Sequence, residues 1–237
     1  MIARFDFYDF VANLIPGLVF LWCVQLLSRL VGWRLPLDLT GGLAETSLLV
    51  ALGYITGLLL QGLSQGLVEK RILLRLWGGF PSARWLLPDD PHFTAAYKTR
   101  LLSLIAERFQ IATEPEIPAD CRHKRARELR LKKNRELFYL CYHHVGNLSP
   151  RPLTFNAHYG LFRCLLGMFG LLSLLSVGGI AWAFAVHPDR AAAFAAMAVL
   201  FGASGWISYA RCKKRSEDFA QSVFDLFVVA VPRKPSD

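Results

Sequence analysis

Charged side chains are scarce in this sequence of 237 residues: Asp, Glu, Lys and Arg make up 19% of it, whereas 54% of the residues are hydrophobic. This balance excludes a disordered chain, and it is too apolar for an ordinary water-soluble domain. Acidic residues are the scarcer of the charged ones, 18 against 27 Lys and Arg, which gives a net charge of +9. The apolar residues and the positive charge must therefore occupy different parts of the chain.

Cysteine and histidine are few and scattered. The five cysteines are an odd number and none lies in a predicted external loop, which excludes a framework of disulfides. Cys141 and His144 are three residues apart, and we interpret them as a partly buried cysteine and a histidine at a helix end rather than as a metal site. No phosphate-binding glycine loop is present. The sequence predicts neither a metal nor a cofactor.

Two serine motifs resemble those of hydrolases. Gly62-Leu-Ser64-Gln-Gly66 matches a nucleophile elbow, but that elbow needs a turn between a strand and a helix, whereas these residues end a predicted membrane helix. Gly202-Ala-Ser204-Gly205 is similar to the motif of rhomboid proteases, which pair the serine with a histidine on a later helix, and no histidine follows His187. Packing of helices through small residues explains both motifs, so we expect no catalytic residue.

Four stretches are long and apolar enough to cross a membrane, which takes about 20 helical residues. They run from Phe10 to Val31, Leu48 to Leu67, Cys164 to Val186 and Ala191 to Tyr209. Arg29 is the one charged residue within them, and it lies at the end of the first stretch, where a long side chain reaches the interface. The sequence therefore predicts an all-α membrane protein with four transmembrane helices.

The orientation follows from the basic residues, which favour the cytoplasmic side of a membrane. The segment from Glu69 to Arg163 holds 17 Lys and Arg against 9 Asp and Glu, and the tail from Ala210 holds 6 against 4. The loops Gly32 to Glu45 and His187 to Arg190 hold one basic residue each. We therefore expect both termini and the long middle segment to be cytoplasmic.

The middle segment is predicted to be a helical cytoplasmic insert. Residues 77–88, with Trp77 and Trp85, are typical of a segment at the membrane interface. A helix is predicted from Asp89-Asp90-Pro91 to about Ile111, and a second from about Ala119 to Val145. After span four, Ser216 to Val231 is either a helix docked on the protein or one that lies on the membrane.

The second helix of the insert is strongly basic, because nine of the fourteen residues from Arg122 to Arg135 are Lys, Arg or His. A predicted apolar face packs it, formed by Ala126, Leu129, Leu137, Leu140 and Cys141. Nucleotide or nucleic-acid phosphates, anionic lipid headgroups and plain solvent remain three alternatives for the other faces. The candidate ligand-binding residues are Arg122, Lys124, Arg125, Arg127, Arg130, Lys132, Lys133 and Arg135.

Polar and small residues recur at helical spacing in the first two spans. They either hold the helices of one chain together, or they form the lining and helix interfaces of an oligomeric pore. The acidic pair before the first span either attracts cations at a pore mouth or caps the helix. The candidate pore or interface residues are Asp6, Asp9, Asn13, Gln25, Gly53, Gly57, Gln61 and Gln65.

Two short blocks carry a resemblance to a known class of proteins: the opening Phe5-Asp-Phe-Tyr-Asp-Phe10 followed by Leu14-Ile-Pro-Gly17, and Phe155-Asn-Ala-His-Tyr-Gly-Leu-Phe-Arg163. Together with the order of two helices, an insert and two helices, the chain resembles small bacterial multi-pass membrane effectors of antiphage defence systems. The resemblance implies an effector that perturbs the bacterial inner membrane and is triggered by a nucleotide-type ligand at its cytoplasmic part.

The leading expectation is an oligomeric inner-membrane channel or membrane-disrupting effector, gated by an anionic nucleotide or short nucleic acid on the basic insert. The alternative is a membrane anchor or sensor without catalytic activity, whose insert recruits a cytoplasmic partner protein. In either case the lipid bilayer is a partner, and the first hypothesis requires a homo-oligomer. The predicted parts are membrane helices in 1–68, the basic cytoplasmic domain 69–160, membrane helices in 161–210, and a cytoplasmic helix and tail in 211–237.

Overall fold

The computed structural model describes residues 7–33, 42–118, 121–146 and 148–231, and within these ranges every regular element is a helix. The all-helical class predicted from the sequence is confirmed. The helices are α1 (Phe7–Val31), α2 (Leu43–Leu63), a π-helix (Ser64–Leu73), α3 (Leu74–Trp77), α4 (Pro81–Arg84), α5 (Ala95–Phe109), α6 (His123–Val145), α7 (Arg151–Val186), a short 3₁₀ helix (Pro188–Arg190) and α8 (Ala191–Ala230).

Four helical runs in this part of the chain are long and apolar enough to cross a membrane, as the sequence predicts. They are Ala12–Val31, Leu43–Arg84, Arg151–Val186 and Pro188–Ala230. These four helices are compatible with a multi-pass membrane protein. Three of the runs extend well beyond the predicted spans, because α2 continues into the π-helix and because α7 and α8 are single long helices.

The chain divides into two compact units. The first comprises Met1–Ile72 and Ala157–Lys213, and the second comprises Leu73–Asn156 and Lys214–Asp237. The first unit has a core of side chains from α1, α2, α7 and α8, among them Cys23, Leu60 and Met168. The second has a larger core from α5, α6, the end of α8 and the segment around Trp85.

The start of α5 differs from the prediction. The helix begins at Ala95, not at Pro91, because the Thr94 hydroxyl accepts a hydrogen bond from the Tyr97 amide at 3.3 Å and so forms the N-terminal cap. The Asp90 carboxylate instead accepts a bond from the His92 amide at 3.0 Å and pairs with Arg84 at 2.8 Å. The predicted acidic cap therefore stabilises the preceding turn rather than a helix.

Side chains of α5 and α6 donate hydrogen bonds to the backbone of the segment before α5 and hold it in the second unit. The Lys98 ammonium donates to Leu87 O at 2.6 Å, and the Asn134 amide donates to Ala83 O at 2.9 Å. Trp85, which the sequence analysis assigned to a membrane interface, is 1% exposed and stacks on the His92 ring. Its indole therefore serves the core of this unit and is not available to a membrane surface.

The last element resolves one of the alternatives left open by the sequence. Residues 216–230 continue α8 without a break, so Ser216 does not begin a separate helix. Val223, Phe224 and Phe227 are fully buried in the core of the second unit. The end of the chain is thus docked on α5 and α6, and its apolar face is not free to lie on a membrane.

Backbone contact joins α1 to α2 in the first unit. A Cβ atom added to Gly17 would collide with the Gly53 carbonyl, and one added to Gly57 would collide with the Asn13 carbonyl. Only glycine allows two helix backbones to approach so closely. Gly53 and Gly57 therefore form an interface between two helices of the same chain.

Candidate functional site

The eight candidate basic residues surround the first half of α6. Arg122 is the residue before the helix, and the others lie on it. Arg127 and Lys133 are partly buried, and the remaining six side chains are exposed. They point around the helix rather than along one stripe, because their spacings include steps of one, two and three residues. The first half of α6 is therefore a positively charged rod on nearly all sides.

These basic residues are not neutralised by neighbouring acids. Among residues 7–33, 42–118, 121–146 and 148–231, no carboxylate forms an ion pair with any of the eight. Arg135 has a different partner, the Tyr139 ring, which lies 5.7 Å from its guanidinium carbon. A surface with so many uncompensated cations attracts polyanions, because each bound phosphate releases counterions.

The packed face of α6 differs from the predicted one. Leu137 and Cys141 are buried as expected, but Ala126, Leu129 and Leu140 are only partly buried. The stripe that faces the core is formed by Asn134, Leu137, Phe138, Cys141 and Val145. The prediction missed Asn134 because a polar residue seldom enters a core; here its amide is satisfied by the Ala83 carbonyl.

This difference matters for the basic residues. All five members of the packed stripe lie in the second half of α6, from Asn134 onward. Arg130 and Arg127 precede Asn134 by four and seven residues and so extend the same stripe toward the helix start. The helix is therefore anchored by its second half, while its first half presents cations even on the side that continues the packed face.

The candidate pore residues differ in their exposure. Asn13 and Gln25 are buried in the first unit, Gly53 and Gly57 contact α1, Gln61 is partly buried and Gln65 is exposed. Asp6 lies outside the described residues, and Asp9 belongs to α1 but its side chain is not described. Gln65 is thus the one polar side chain among the described candidates that is exposed on this chain.

A buried polar cluster that the sequence analysis missed lies in the first unit. Glu69, in the middle of the π-helix, pairs with Arg163 of α7. The Tyr159 hydroxyl donates to the same carboxylate at 3.1 Å, and the Arg163 guanidinium carbon lies 5.5 Å from the Tyr159 ring centre. Glu69 and Arg163 are each 8% exposed, so both charges are withdrawn from solvent and depend on one another.

Polar atoms without partners surround this cluster. Among the described residues, Ser64 Oγ, Gln61 Oε1 and Arg163 Nε are buried and have no hydrogen-bond partner. Ser64 abuts Gly167, where α7 has no side chain to fill the space. Buried groups of this kind are commonly satisfied by internal water. One signal was present in the sequence: Tyr159 and Arg163 are four residues apart and so share a helix face.

The two serine motifs lie in helices and not in the turns that hydrolase motifs require. Ser64 is fully buried and its hydroxyl makes no hydrogen bond to a described group, so no base activates it. Ser204 lies in the middle of α8, where its carbonyl accepts the Ser208 hydroxyl at 2.8 Å. Both serines occupy helix interiors, and neither lies on the strained turn that a nucleophile elbow requires.

Cys141 and His144 do not form a metal site in the described part of the chain, where no group of three His, Cys, Asp or Glu side chains comes together. Burial raises the pKa of the Cys141 thiol to about 12. His144 packs edge-on against the rings of Phe109 and Phe227. A protonated thiol and a histidine among aromatic rings are parts of a core, as the sequence analysis interpreted them.

The thiol chemistry gives a direct test of this core. At pH 8 a thiol with a pKa near 12 is ionised in roughly one molecule in ten thousand, because a raised pKa keeps the proton on sulfur until the pH approaches 12. We therefore expect a maleimide to label Cys141 at least about a hundredfold more slowly than the partly exposed Cys121. Peptide mass spectrometry measures both rates, and equal native rates would contradict the burial of Cys141. Denaturation in dodecyl sulfate should abolish the difference.

Comparisons with known proteins add no relative: no protein-family model, curated protein sequence or solved structure matches the chain. The class of the protein therefore comes from its own fold, an all-helical chain with four helices long and apolar enough to span a membrane.

Proposed function

We propose that the chain is an oligomeric inner-membrane channel or membrane-disrupting effector, regulated by an anionic nucleotide or short oligonucleotide that binds α6 from the cytoplasm. The observation that carries this proposal is the basic surface of α6: six of the eight candidate residues lie on the helix before Asn134, Arg122 and Arg135 flank them, and none of the eight forms an ion pair among the described residues. A folded core anchors that surface, so the basic residues need not fold upon binding. The resemblance to antiphage effectors makes phage defence the proposed context.

The membrane helices support an assembly of several chains. Only 17% of the most apolar window of the second run is buried within the chain, so most of its surface is left for lipid or for another subunit. Gln65 is exposed there, and Gly62 and Gly66 have no atom within 4 Å of an added Cβ. An exposed amide in a membrane helix is stabilised by hydrogen bonds to a neighbouring helix, which favours a homo-oligomer over a monomer.

Ligand binding is tested with a fluorescein-labelled single-stranded decanucleotide and detergent-purified protein. Charge reversal by Arg125→Glu with Arg130→Glu is expected to weaken binding by at least tenfold, because it removes two cations and adds two anions. The matched control is Arg100→Glu with Arg108→Glu, two exposed arginines of α5 in the same unit. Equal affinities of the two double variants would remove α6 from the site.

Salt dependence separates phosphate contacts from other modes of binding. If five phosphates are neutralised, affinity should fall roughly a hundredfold between 50 and 200 mM salt. Fluorescence anisotropy across that range gives the slope. Binding that is insensitive to salt would contradict the proposed role of the basic residues. Binding to anionic vesicles but not to the oligonucleotide would favour lipid headgroups as their partner.

The membrane activity is tested by ion flux from liposomes that contain purified protein. We expect potassium release that the oligonucleotide changes, in either direction, by at least tenfold. Liposomes that stay ion-tight with and without the oligonucleotide would exclude a channel. Co-purification of a cytoplasmic protein with ion-tight liposomes would instead favour the anchor or sensor alternative.

A further inference from the structure

The Glu69–Arg163 pair is held in place by an unusual stretch of backbone. Ser64–Leu73 is π-helical over ten residues, whereas π-helices are mostly single turns and are frequent at functional sites. In this geometry residues five apart lie near one another along the helix, and Ser64 and Glu69 both reach α7. Ser64 faces Gly167, and Glu69 faces Arg163 and Tyr159.

The same residues could not both face α7 in an ordinary helix. With 3.6 residues per turn, two positions five apart are rotated by roughly 140° from one another. A change of residues 64–73 from π- to α-geometry would therefore turn Glu69 away from Arg163 while Ser64 stayed against Gly167. An α-helical arrangement of this segment would therefore leave the pair of charges separated, whereas the observed π-helix joins them.

Burial makes the joined state depend on both charges. Glu69 and Arg163 are almost completely withdrawn from solvent, and the Tyr159 hydroxyl supplies the second donor to the carboxylate. Losing one partner leaves the other charged and buried without compensation, a condition that favours any arrangement in which the remaining charge reaches water. Glu69 and Arg163 flank the apolar stretches Leu48–Leu67 and Cys164–Val186, so the pair lies at the end of these spans that the basic residues predict to be cytoplasmic.

We propose that Glu69 and Arg163 form a charge-paired gate, closed in this structure, and that opening separates them as residues 64–73 change from π- to α-helix. The proposal rests on the proposed channel function and adds to it the residues that hold the path shut. Gln61 and Ser64, whose buried oxygens lack partners among the described residues, would line the opened path beside the separated charges.

Potassium flux from liposomes without any oligonucleotide tests the gate. Glu69→Gln keeps the size of the side chain and removes its charge, and we expect it to raise the basal leak at least tenfold. Tyr159→Phe removes one hydrogen bond and should raise it less, by about twofold or more. The control Glu45→Gln removes an exposed carboxylate at the start of α2 and should leave the basal leak unchanged. The charge swap Glu69→Arg with Arg163→Glu should return the leak toward the wild-type value.

The exposure of Cys212 gives a second readout that does not require conduction. This thiol is fully buried and lies within electrostatic range of both charges. In a variant with Cys212 as its only cysteine, Glu69→Gln should raise the rate of labelling by a charged maleimide at least tenfold. If the pair only stabilises the fold, Glu69→Gln should lower the thermal transition, and the charge swap should restore neither the basal leak nor the rate of Cys212 labelling.

The outcomes separate the gate from the channel. If the wild type conducts with the oligonucleotide but folded Glu69→Gln and Tyr159→Phe proteins show wild-type leak and Cys212 labelling, the gate is overturned and the channel stands. If every protein is ion-tight, the channel is overturned, and faster Cys212 labelling in Glu69→Gln would then show a switch without a path. Should Glu69→Gln fail to fold, Tyr159→Phe alone decides, because wild-type leak in that variant overturns the gate.

Discussion

Replacing Phe224 with alanine is expected to lower the free energy of unfolding of the second unit by about 3 to 5 kcal/mol. Phe224 is fully buried, and its ring packs edge-on against the rings of Phe93 and Phe138, 5.8 and 5.4 Å away between centroids. It thereby joins the end of α8 to α6 and to the segment before α5. Truncation removes the buried ring and leaves a cavity among neighbours that cannot close it.

Limited trypsin digestion of detergent-purified protein measures this effect, because α6 is rich in cleavage sites. In the wild type the packed second half of α6 keeps the helix around Arg135 folded, whereas Phe224→Ala should let it unfold locally, so that trypsin cleaves at Arg135 faster, and should lower the thermal transition of the unit. Val229→Ala is the matched control on the same helix, since Val229 is 82% exposed. Equal digestion of the two variants would mean that α8 does not stabilise this unit.

The docking of α8 shows how far the sequence predicted the fold. Phe219, Val223, Phe224, Phe227 and Val228 are apolar at helical spacing, so a helix with one apolar face was predictable. Which surface that face meets was not, because a membrane and a protein core both accept phenylalanine and valine. Only the positions of α5 and α6 decide between them, and those follow from contacts distant in the sequence.

The buried Glu69–Arg163 pair could not be predicted from the sequence, for a related reason. The sequence analysis counted Glu69 and Arg163 only among the charges of the segment between spans two and three, and that count says nothing of the distance between them. Burial of either charge becomes acceptable only when the other is present, 94 positions away in the chain. The π-helix that presents Glu69 also has no recognised sequence pattern, because its residues suit an α-helix equally well.

The helix that carries the basic residues of α6 was, in contrast, predictable. Its residues are contiguous, and a helix through them was predictable from composition and from the glycine after Val145. Which apolar residues pack was not predictable, since the predicted face and the observed face overlap only at Leu137 and Cys141. Long charged side chains reach solvent from many helix positions, so the error in the packed face removes none of the eight basic residues from the candidates.

Substituting valine for Gly57 is expected to separate α1 from α2. The added Cβ would occupy the position of the Asn13 carbonyl, and this contact involves backbone, so no change of rotamer relieves it. We expect the free energy of unfolding of the first unit to fall by about 3 kcal/mol or more, at the upper end of the usual cost of overpacking. The thermal transition of detergent-purified protein measures the change.

Gly62→Val on the same helix separates this contact from the intrinsic effect of valine on a helix. Gly62 has no atom within 4 Å of an added Cβ, so the two substitutions differ in what they meet and not in what they introduce. If the Gly57 contact holds the monomer together, Gly57→Val should lower the free energy of unfolding strongly and Gly62→Val should change it little. Gly62→Val could also leave the monomer folded but abolish the oligomer on size-exclusion chromatography. In that case Gly62 and Gly66 belong to the interface between subunits, whereas Gly53 and Gly57 join helices within one chain.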